Sequence, residues 1–223
     1  MKFKVTTIVL LLLSLFFSSG AQLKDQNPCV EKLKSTVVRY DYPKVKGTGP
    51  MPYNYRVIDN LIHAGGHPLN PVTNCRNSEK QTQSILNYLK SKGVKAIINL
   101  DSDTSVLKRY RKLLNEAGLY ELYIPMNSEK VPNKNEWELI KKAMKEPVYI
   151  HCRWGADRTG AIIGKYLVDI KGYSQRDAWK AIITGGSHSG IIGGFKKVKM
   201  NRKLLLFFWP DAMKDKEIQK YYK

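Results

Sequence analysis

The chain has 223 residues, a length that suits one domain with a sizeable core. Its 38 Lys and Arg residues against 19 Asp and Glu residues give a formal net charge of +19, so anionic partners are expected. No recognised nucleic-acid-binding module accompanies the basic runs, and nucleic acid is therefore not expected among those partners.

The first 21 residues have the pattern of a signal peptide. Lys2 and Lys4 give a charged start, residues 8–17 are apolar, and residues 19–21 are small enough for a cleavage site. The apolar run has about ten residues, which is too short to cross about 30 Å of hydrocarbon. We therefore expect export to the periplasm or the medium, cleavage after Ala21, and no stable membrane span.

Residues 22–52 are polar and punctuated by Pro and Gly, and they predict an irregular N-terminal arm. Residues 53–223 are expected to form a single domain. The chain has three cysteines, and in an oxidising compartment Cys29 and Cys75 are candidates for a disulfide that leaves Cys152 free. The Cys and His spacing matches no zinc site, so no metal is expected.

The predicted elements follow one another in a regular order along the chain. Strands are predicted at 53–58, 61–64, 94–100, 119–126 and 148–150. Helices are predicted at 78–92, 104–117, 135–145, 161–168 and 175–183. In the helix at 135–145, the residues expected on the inner side are Trp137, Leu139, Ile140 and Met144. Residues 204–209 are apolar but too few to span a membrane, and they are expected in the core.

The alternation of strands and helices after residue 94 predicts an α/β fold with a mainly parallel central sheet flanked by helices. Ligands bind such sheets at the carboxyl ends of the strands. Three strand ends are therefore expected to meet near one site. They are residues 101–103, residues 127–130 and the segment that begins after Ile150.

That last segment, residues 151–160, reads His-Cys-Arg-Trp-Gly-Ala-Asp-Arg-Thr-Gly and joins a strand to a helix. A tight loop of this kind turns backbone N–H groups towards one point, where the helix dipole adds positive charge that suits a phosphate dianion. Arg158 offers a planar fork to two phosphate oxygens, and the same field favours the thiolate of Cys152. A thiolate that faces a bound phosphate can attack phosphorus and form a phosphocysteine.

The segment resembles the signature of the protein tyrosine phosphatase superfamily, which has a Cys, five residues, an Arg and then a Ser or Thr. The matching residues are His151, Cys152, Gly155, Arg158, Thr159 and Gly160. The resemblance covers roughly residues 53–183. It implies a dual-specificity-like cysteine-phosphatase fold and hydrolysis of phosphomonoesters without a cofactor, with Cys152 and Arg158 as the catalytic pair.

The same resemblance implies roles for the other residues of the loop. The residues expected to contact substrate are Arg153, Trp154, Gly155, Ala156, Thr159, Asp103 and Lys130. The Thr159 hydroxyl is expected to hydrogen-bond the Cys152 sulfur after the leaving group departs. His151 is expected to hold the shape of the loop, and Gly155 is expected to let the backbone curl, since Gly tolerates positive φ.

The sequence leaves the general acid open between two carboxyl groups. Members of the superfamily usually supply an Asp about thirty residues before the Cys, but in that zone this chain has only Glu129. Asp157 directly precedes Arg158, a position at which myotubularin-like lipid phosphatases and several bacterial secreted phosphatases also carry Asp. A bound phosphate there favours the protonated acid. Asp101 and Asp103 are third choices, better suited to position Arg158 or a water molecule.

The leading hypothesis for the substrate is a myo-inositol polyphosphate, because the chain is similar to bacterial protein-tyrosine-phosphatase-like phytases. A substrate with several phosphates needs a broad cationic pocket, and the basic helix at 104–117 is expected to bring positive charge near the site. Asp157 departs from those phytases, whose loop usually has Gly there. The alternatives are a dual-specificity protein phosphatase, a phosphoinositide phosphatase, and an exported phosphate-binding pseudo-phosphatase. A monomer is expected.

Overall fold

The structure is a computed structural model that describes Pro52 and residues 55–69, 77–184 and 201–222. The predicted signal peptide, almost all of the predicted arm, Cys29, Cys75 and the Gly-rich segment after residue 184 lie outside the described residues. Among the helices of the described part, none has the length and apolar character needed to cross a membrane.

A five-stranded sheet forms the centre of the fold. Its strands are β1 (Arg56–Ile58), β2 (Ile62–Gly65), β3 (Ala96–Asp101), β4 (Tyr120–Met126) and β5 (Val148–His151). The spatial order is β1-β2-β5-β3-β4. Strand β1 runs antiparallel to β2, and every other neighbouring pair is parallel. The prediction of a mainly parallel sheet is confirmed, and β5 lies at its centre, so the segment after His151 leaves from the middle of the sheet.

The helices are α1 (Glu79–Ser91), α2 (Leu107–Ala117), α3 (Lys134–Ala143), α4 (Asp157–Asp169), α5 (Gln175–Thr184), α6 (Arg202–Leu206) and α7 (Lys216–Tyr222). Capping boxes at Ser78 and Asn133 begin α1 and α3, where each side chain accepts a backbone N–H of the first turn. Gly118 ends α2 with φ at 67° in the left-handed region. These local signals explain why most predicted boundaries agree with the structure.

Helix α2 begins at Leu107, three residues later than the prediction of residue 104. The Asp103 carboxylate accepts the backbone N–H of Ser105 at 2.9 Å, and the Leu107 N–H donates to the Thr104 carbonyl. A short polar side chain that bonds a nearby N–H competes with the helix for that group. The segment from Asp103 to Val106 is therefore a turn at the end of β3.

Apolar side chains pack against both faces of the sheet. On one face Ile98, Val148 and Ile150 join the core formed with α3, α4, α5, α6 and α7. On the other face Ile97 and Tyr149 pack with α1 and α2. A sheet covered by helices on both faces is the arrangement expected for parallel strands, and it leaves the carboxyl ends of the strands as the place for a site.

The prediction that Leu139 lies on the inner side of its helix is wrong. Leu139 is 51% exposed, whereas Trp137, Ile140 and Met144 are buried as predicted. Leu139 follows Trp137 by two positions, which is about 200° around a helix axis, so the two side chains lie on opposite faces. The apolar segment at 204–209 contributes Leu204 to the core, as the sequence predicted.

Candidate active site

The Cys152 loop runs from the end of β5 to the start of α4. Cys152 follows His151 directly and is 2% exposed. Helix α4 begins at Asp157, so Arg158 lies in its first turn rather than at the end of the loop. The N–H groups of a first helical turn have no partner within the helix, and they carry the positive end of the helix dipole. The thiol and the guanidinium are therefore joined by a short segment at a helix N-terminus.

Arg158 is held by the ends of two other strands. Its Nη1 donates to the Asp101 carboxylate at 3.1 Å, to the Leu100 carbonyl at 3.3 Å and to the Met126 carbonyl at 3.2 Å. All three bonds use the same nitrogen, so the edge formed by Nε and Nη2 is not engaged by them. Burial opposes the charge of Arg158, but attraction to Cys152 and Asp101 outweighs it and raises the pKa of the guanidinium.

The Asp101 carboxylate lies between the two arginines of the loop. It is 2% exposed, and while one oxygen bonds Arg158, the other lies 3.7 Å from Arg153 Nε. Arg153 Nη2 also forms an ion pair with Asp103. The N–H and hydroxyl of Ser105, which bond Asp103, hold the pKa of that carboxyl below its usual value. Asp101 therefore contacts both arginines, whereas Asp103 pairs with Arg153 and not with Arg158, and the lowered pKa makes Asp103 a poor proton donor.

A cavity of about 400 Å³ opens at this edge of the sheet. The residues that line it are Asp101, Ser102, Asp103, Asn127, Ser128, Arg153, Asp157, Arg158, Asn201 and Leu204. Its described lining therefore carries three carboxyl groups and two guanidinium groups, rather than the excess of cations that the sequence predicted. On the basic helix α2, Arg109 pairs with Glu79 and Arg111 pairs with Glu121, and neither lines the cavity.

The two candidates for the general acid lie in different places. Asp157 lines the cavity beside Arg158. Glu129 has a side chain that is 68% exposed and pairs with Lys203 at 2.9 Å, outside the lining. Lys130, predicted to contact substrate, pairs with Glu136 at 3.5 Å and is also outside it. From the same segment, which the sequence predicted at the site as a strand end, Asn127 and Ser128 do line the cavity, because they follow β4 directly.

The back of the loop rests on the hairpin of β1 and β2. Gly155 has φ at 68°, as predicted, and a Cβ on it would lie 2.1 Å from the Gly65 carbonyl carbon. The backbone N–H of His67 donates to the Arg153 carbonyl at 3.1 Å. Arg56 Nη1 donates to the Gly155 carbonyl at 2.8 Å. Arg56 is 99 positions from Gly155, so no local pattern in the sequence pointed to it.

Behind the loop lies a cluster of buried rings. The centroid of His67 lies 4.4 Å from that of Tyr110 and 4.8 Å from that of His151. Burial lowers the pKa of His67 to about 4 and lowers the pKa of His151 well below its usual value. Both imidazoles are neutral at pH 7, which agrees with a role for His151 in the shape of the loop.

The remaining loop residues predicted to contact substrate differ in position. Trp154, Gly155 and Ala156 do not line the cavity, and Ala156 is 1% exposed. Thr159 is fully buried in α4, and its hydroxyl has no hydrogen-bond partner within the described part of the chain. No group of three or more His, Cys, Asp or Glu side chains that could hold a metal is found among the described residues.

A thiol and an anchored guanidinium at one helix N-terminus suit a cysteine-dependent phosphatase, and comparison with known proteins supports that class. A family model described as "Polymorphic toxin system, DSP-PTPase phosphatase" matches residues 73–172. The mouse protein "Phosphatidylglycerophosphatase and protein-tyrosine phosphatase 1" is 23% identical over 144 residues, which cover 61% of this chain and 69% of the mouse protein.

Two solved structures share the fold. P. aeruginosa TpbA aligns with a TM-score of 0.51 and 16% identity over 76% of this chain and 89% of its own. Kinase associated phosphatase aligns with a TM-score of 0.51 and 18% identity over 66% of this chain and 84% of its own. The family model over residues 73–172 and the mouse relative support a phosphoric monoester hydrolase similar to the dual-specificity-like protein tyrosine phosphatases.

The close approach at Gly155 predicts a large effect of one methyl group. We expect Gly155→Ala to lower kcat/KM about 100-fold, because the added Cβ has to displace the Gly65 backbone and with it the loop. The matched control is Gly172→Ala, which has φ at 72° but nothing within 4 Å of its Cβ. We expect the control to cost about 1–2 kcal/mol of stability and no activity. Equal activity losses in the two variants would contradict the prediction.

The buried imidazoles predict a loss of stability in acid. His67 has a pKa of about 4 in the folded protein and about 6.5 when unfolded, so between these values only the unfolded chain binds the proton. The free energy of unfolding should therefore be greatest above pH 6.5. As the pH approaches 4, protonation of His67 in the unfolded chain should lower that free energy by about 3 kcal/mol. Urea unfolding of wild type and His67→Asn at several pH values measures it. Parallel pH profiles for the two proteins would contradict it.

Proposed function

We propose that this enzyme hydrolyses phosphomonoesters in two steps through a phosphocysteine on Cys152. The observation that carries the proposal is the fixed position of Arg158, whose Nη1 is held by Leu100, Asp101 and Met126 at the end of the sheet. A guanidinium anchored through one nitrogen keeps its other edge for two oxygens of a phosphate. The N-terminus of α4 adds backbone donors for the same dianion.

In the first step the Cys152 thiolate attacks phosphorus, the bond from phosphorus to the ester oxygen breaks, and that oxygen takes a proton from an acid. In the second step a water molecule attacks phosphorus and gives up a proton to the same group. The bond from phosphorus to sulfur then breaks, which releases inorganic phosphate and restores the thiolate. The buried Thr159 hydroxyl, which has no other partner within the described residues, is proposed to donate a hydrogen bond to the departing sulfur.

We assign the acid to Asp157. Asp157 lines the cavity next to Arg158, whereas Glu129 pairs with Lys203 outside the lining. Asp103 is held in its ionised form by Ser105 and Arg153, which makes it unsuited to donate a proton. Asp157 is also the first residue of α4, close to where the helix N-terminus would hold the phosphate.

For the substrate we favour a molecule that presents a single phosphate, with phosphorylated protein side chains such as phosphotyrosine as the leading class. The cavity has one anchored guanidinium, and its other guanidinium, on Arg153, is already paired with Asp103. The name of the mouse relative includes a protein-tyrosine phosphatase activity, and TpbA has been solved in complex with phosphotyrosine. Both proteins support the choice of a phosphorylated side chain.

Inositol polyphosphates, including phosphoinositide headgroups, are the second candidate. The observation in their favour is the net charge of +19, which attracts a polyanion over a long range. Against them stand the three carboxyl groups of the described lining.

Export of the enzyme is also proposed, on the pattern of the first 21 residues, and it would give the enzyme access to phosphorylated molecules outside the cytoplasm.

Parallel assays of phosphate release test the substrate class. We expect a higher kcat/KM for a phosphotyrosine peptide than for myo-inositol hexakisphosphate, because the cavity holds one phosphate among carboxyl groups. Cys152→Ser should lower kcat by about 10⁴-fold or more on either substrate. A preference for the inositol phosphate would favour the second candidate. Phosphate binding by wild type without any turnover would contradict the proposed hydrolysis.

The pH profile of kcat/KM tests the acid. The acid has to be protonated to act, so activity should fall at high pH in wild type, and this fall should disappear in Asp157→Asn. We expect the variant to lose about 10²- to 10⁴-fold in rate on an alkyl phosphate, and much less on p-nitrophenyl phosphate, whose leaving group needs no proton. Glu129→Gln is the matched control and should behave as wild type. If the fall at high pH disappeared in Glu129→Gln and persisted in Asp157→Asn, the general acid would be Glu129.

A further inference from the structure

Arg56 approaches the back of the Cys152 loop from the edge strand β1. Its Nη1 donates to the carbonyl of Gly155 at 2.8 Å, midway between Cys152 and Arg158 in sequence. Burial lowers the pKa of Arg56 to about 10, and attraction to the Cys152 thiolate opposes that shift. The guanidinium is therefore enclosed in the protein, still charged at pH 7, and near enough to Cys152 for the two charges to interact.

The bond to Gly155 also sets the direction of a peptide group. In a planar trans peptide the carbonyl and the N–H point opposite ways, so holding the Gly155 carbonyl turns the Ala156 N–H away from Arg56. The His67 N–H holds the Arg153 carbonyl in the same manner at 3.1 Å. Alternate carbonyls of the loop are thus drawn back to the hairpin, and the N–H groups that follow them are turned away from it.

We propose that Arg56 is a positioning residue of this enzyme, which orients the phosphate-binding loop through Gly155 and supplies a second positive charge that stabilises the Cys152 thiolate. The inference rests on the role proposed above for Cys152. A neutral donor long enough to reach the Gly155 carbonyl would be less costly to bury than a guanidinium. The charge of Arg56 is assigned to the Cys152 thiolate, with which the guanidinium interacts electrostatically.

The two parts of the proposal make separate predictions. Charge near Cys152 determines the pH at which the thiol becomes reactive, whereas the hydrogen bond from Arg56 Nη1 to the Gly155 carbonyl determines how well the loop binds phosphate. Arg56→Gln removes the charge, and Arg56→Lys keeps the charge on a side chain that is one bond shorter and lacks the Nη1 donor. Arg109→Gln is the matched control, since it removes an arginine from the exposed pair with Glu79, away from the cavity.

The first measurement is the rate of Cys152 alkylation by iodoacetamide against pH, read by mass spectrometry of the Cys152 peptide so that Cys29 and Cys75 do not contribute. We expect the midpoint of Arg56→Gln to move up by about one pH unit, which is about tenfold in rate at a pH below the midpoint. The midpoints of Arg56→Lys and Arg109→Gln should equal that of wild type. A midpoint for Arg56→Lys that moves as far as that of Arg56→Gln would overturn the role of the charge.

The second measurement is the affinity for inorganic phosphate by calorimetry. We expect both Arg56 variants to bind about tenfold more weakly than Arg109→Gln, through loss of a charge-assisted hydrogen bond to the loop. Equal affinities would overturn the positioning role. Thermal unfolding identifies any variant that does not fold, and Arg56→Lys carries the test if Arg56→Gln fails. Neither the alkylation rate nor the phosphate affinity depends on turnover. An inactive wild type would therefore contradict the proposed hydrolysis, while these two measurements would still test the role of Arg56.

Discussion

The structure depends on the burial of one guanidinium group. Arg158 lies in the first turn of α4, and its Nη1 donates to acceptors from two strand ends, the Leu100 and Met126 carbonyls and the Asp101 carboxylate. A charge removed from water is costly unless it is paired and hydrogen-bonded. The ends of β3 and β4 supply those partners because parallel strands finish at the same edge of the sheet. The sheet order, with β5 between β2 and β3, brings Cys152 to that same edge.

The loop is held from its back as well as from the cavity. Gly155 packs against the backbone of Gly65, at a distance that no side chain with a Cβ would permit. Arg56 and the His67 N–H hold two of the loop carbonyls. The hairpin of β1 and β2 is small, yet it determines the shape of the loop, because a loop with its N–H groups turned inwards needs partners for its outward carbonyls. A loop fixed on both sides keeps its donors in place without reorganisation, which is the condition for electrostatic stabilisation of a phosphoryl transfer.

Net charge and local charge differ in this protein. The chain carries +19, but the described lining of the cavity has three carboxyl groups and two guanidinium groups, and the arginines of α2 pair with acidic neighbours. Net charge acts over a long range and is screened by salt, so it affects encounter more than the choice between bound substrates. The groups within the cavity act at close range, and they are the basis of the proposal that the substrate presents a single phosphate.

The sequence by itself determined the features that depend on residues close together in the chain. The capping boxes at Ser78 and Asn133, the Gly118 stop and the apolar periods predicted the helices, strands and parallel sheet. The spacing of Cys152 and Arg158 predicted the chemistry, since a strand, loop and helix in succession already set their geometry. Only the tertiary structure decided between Asp157 and Glu129 for the cavity, turned Leu139 outwards, and joined Arg56 to Gly155. These outcomes depend on packing between segments far apart in sequence, and no local period or motif encodes the distance between two such side chains.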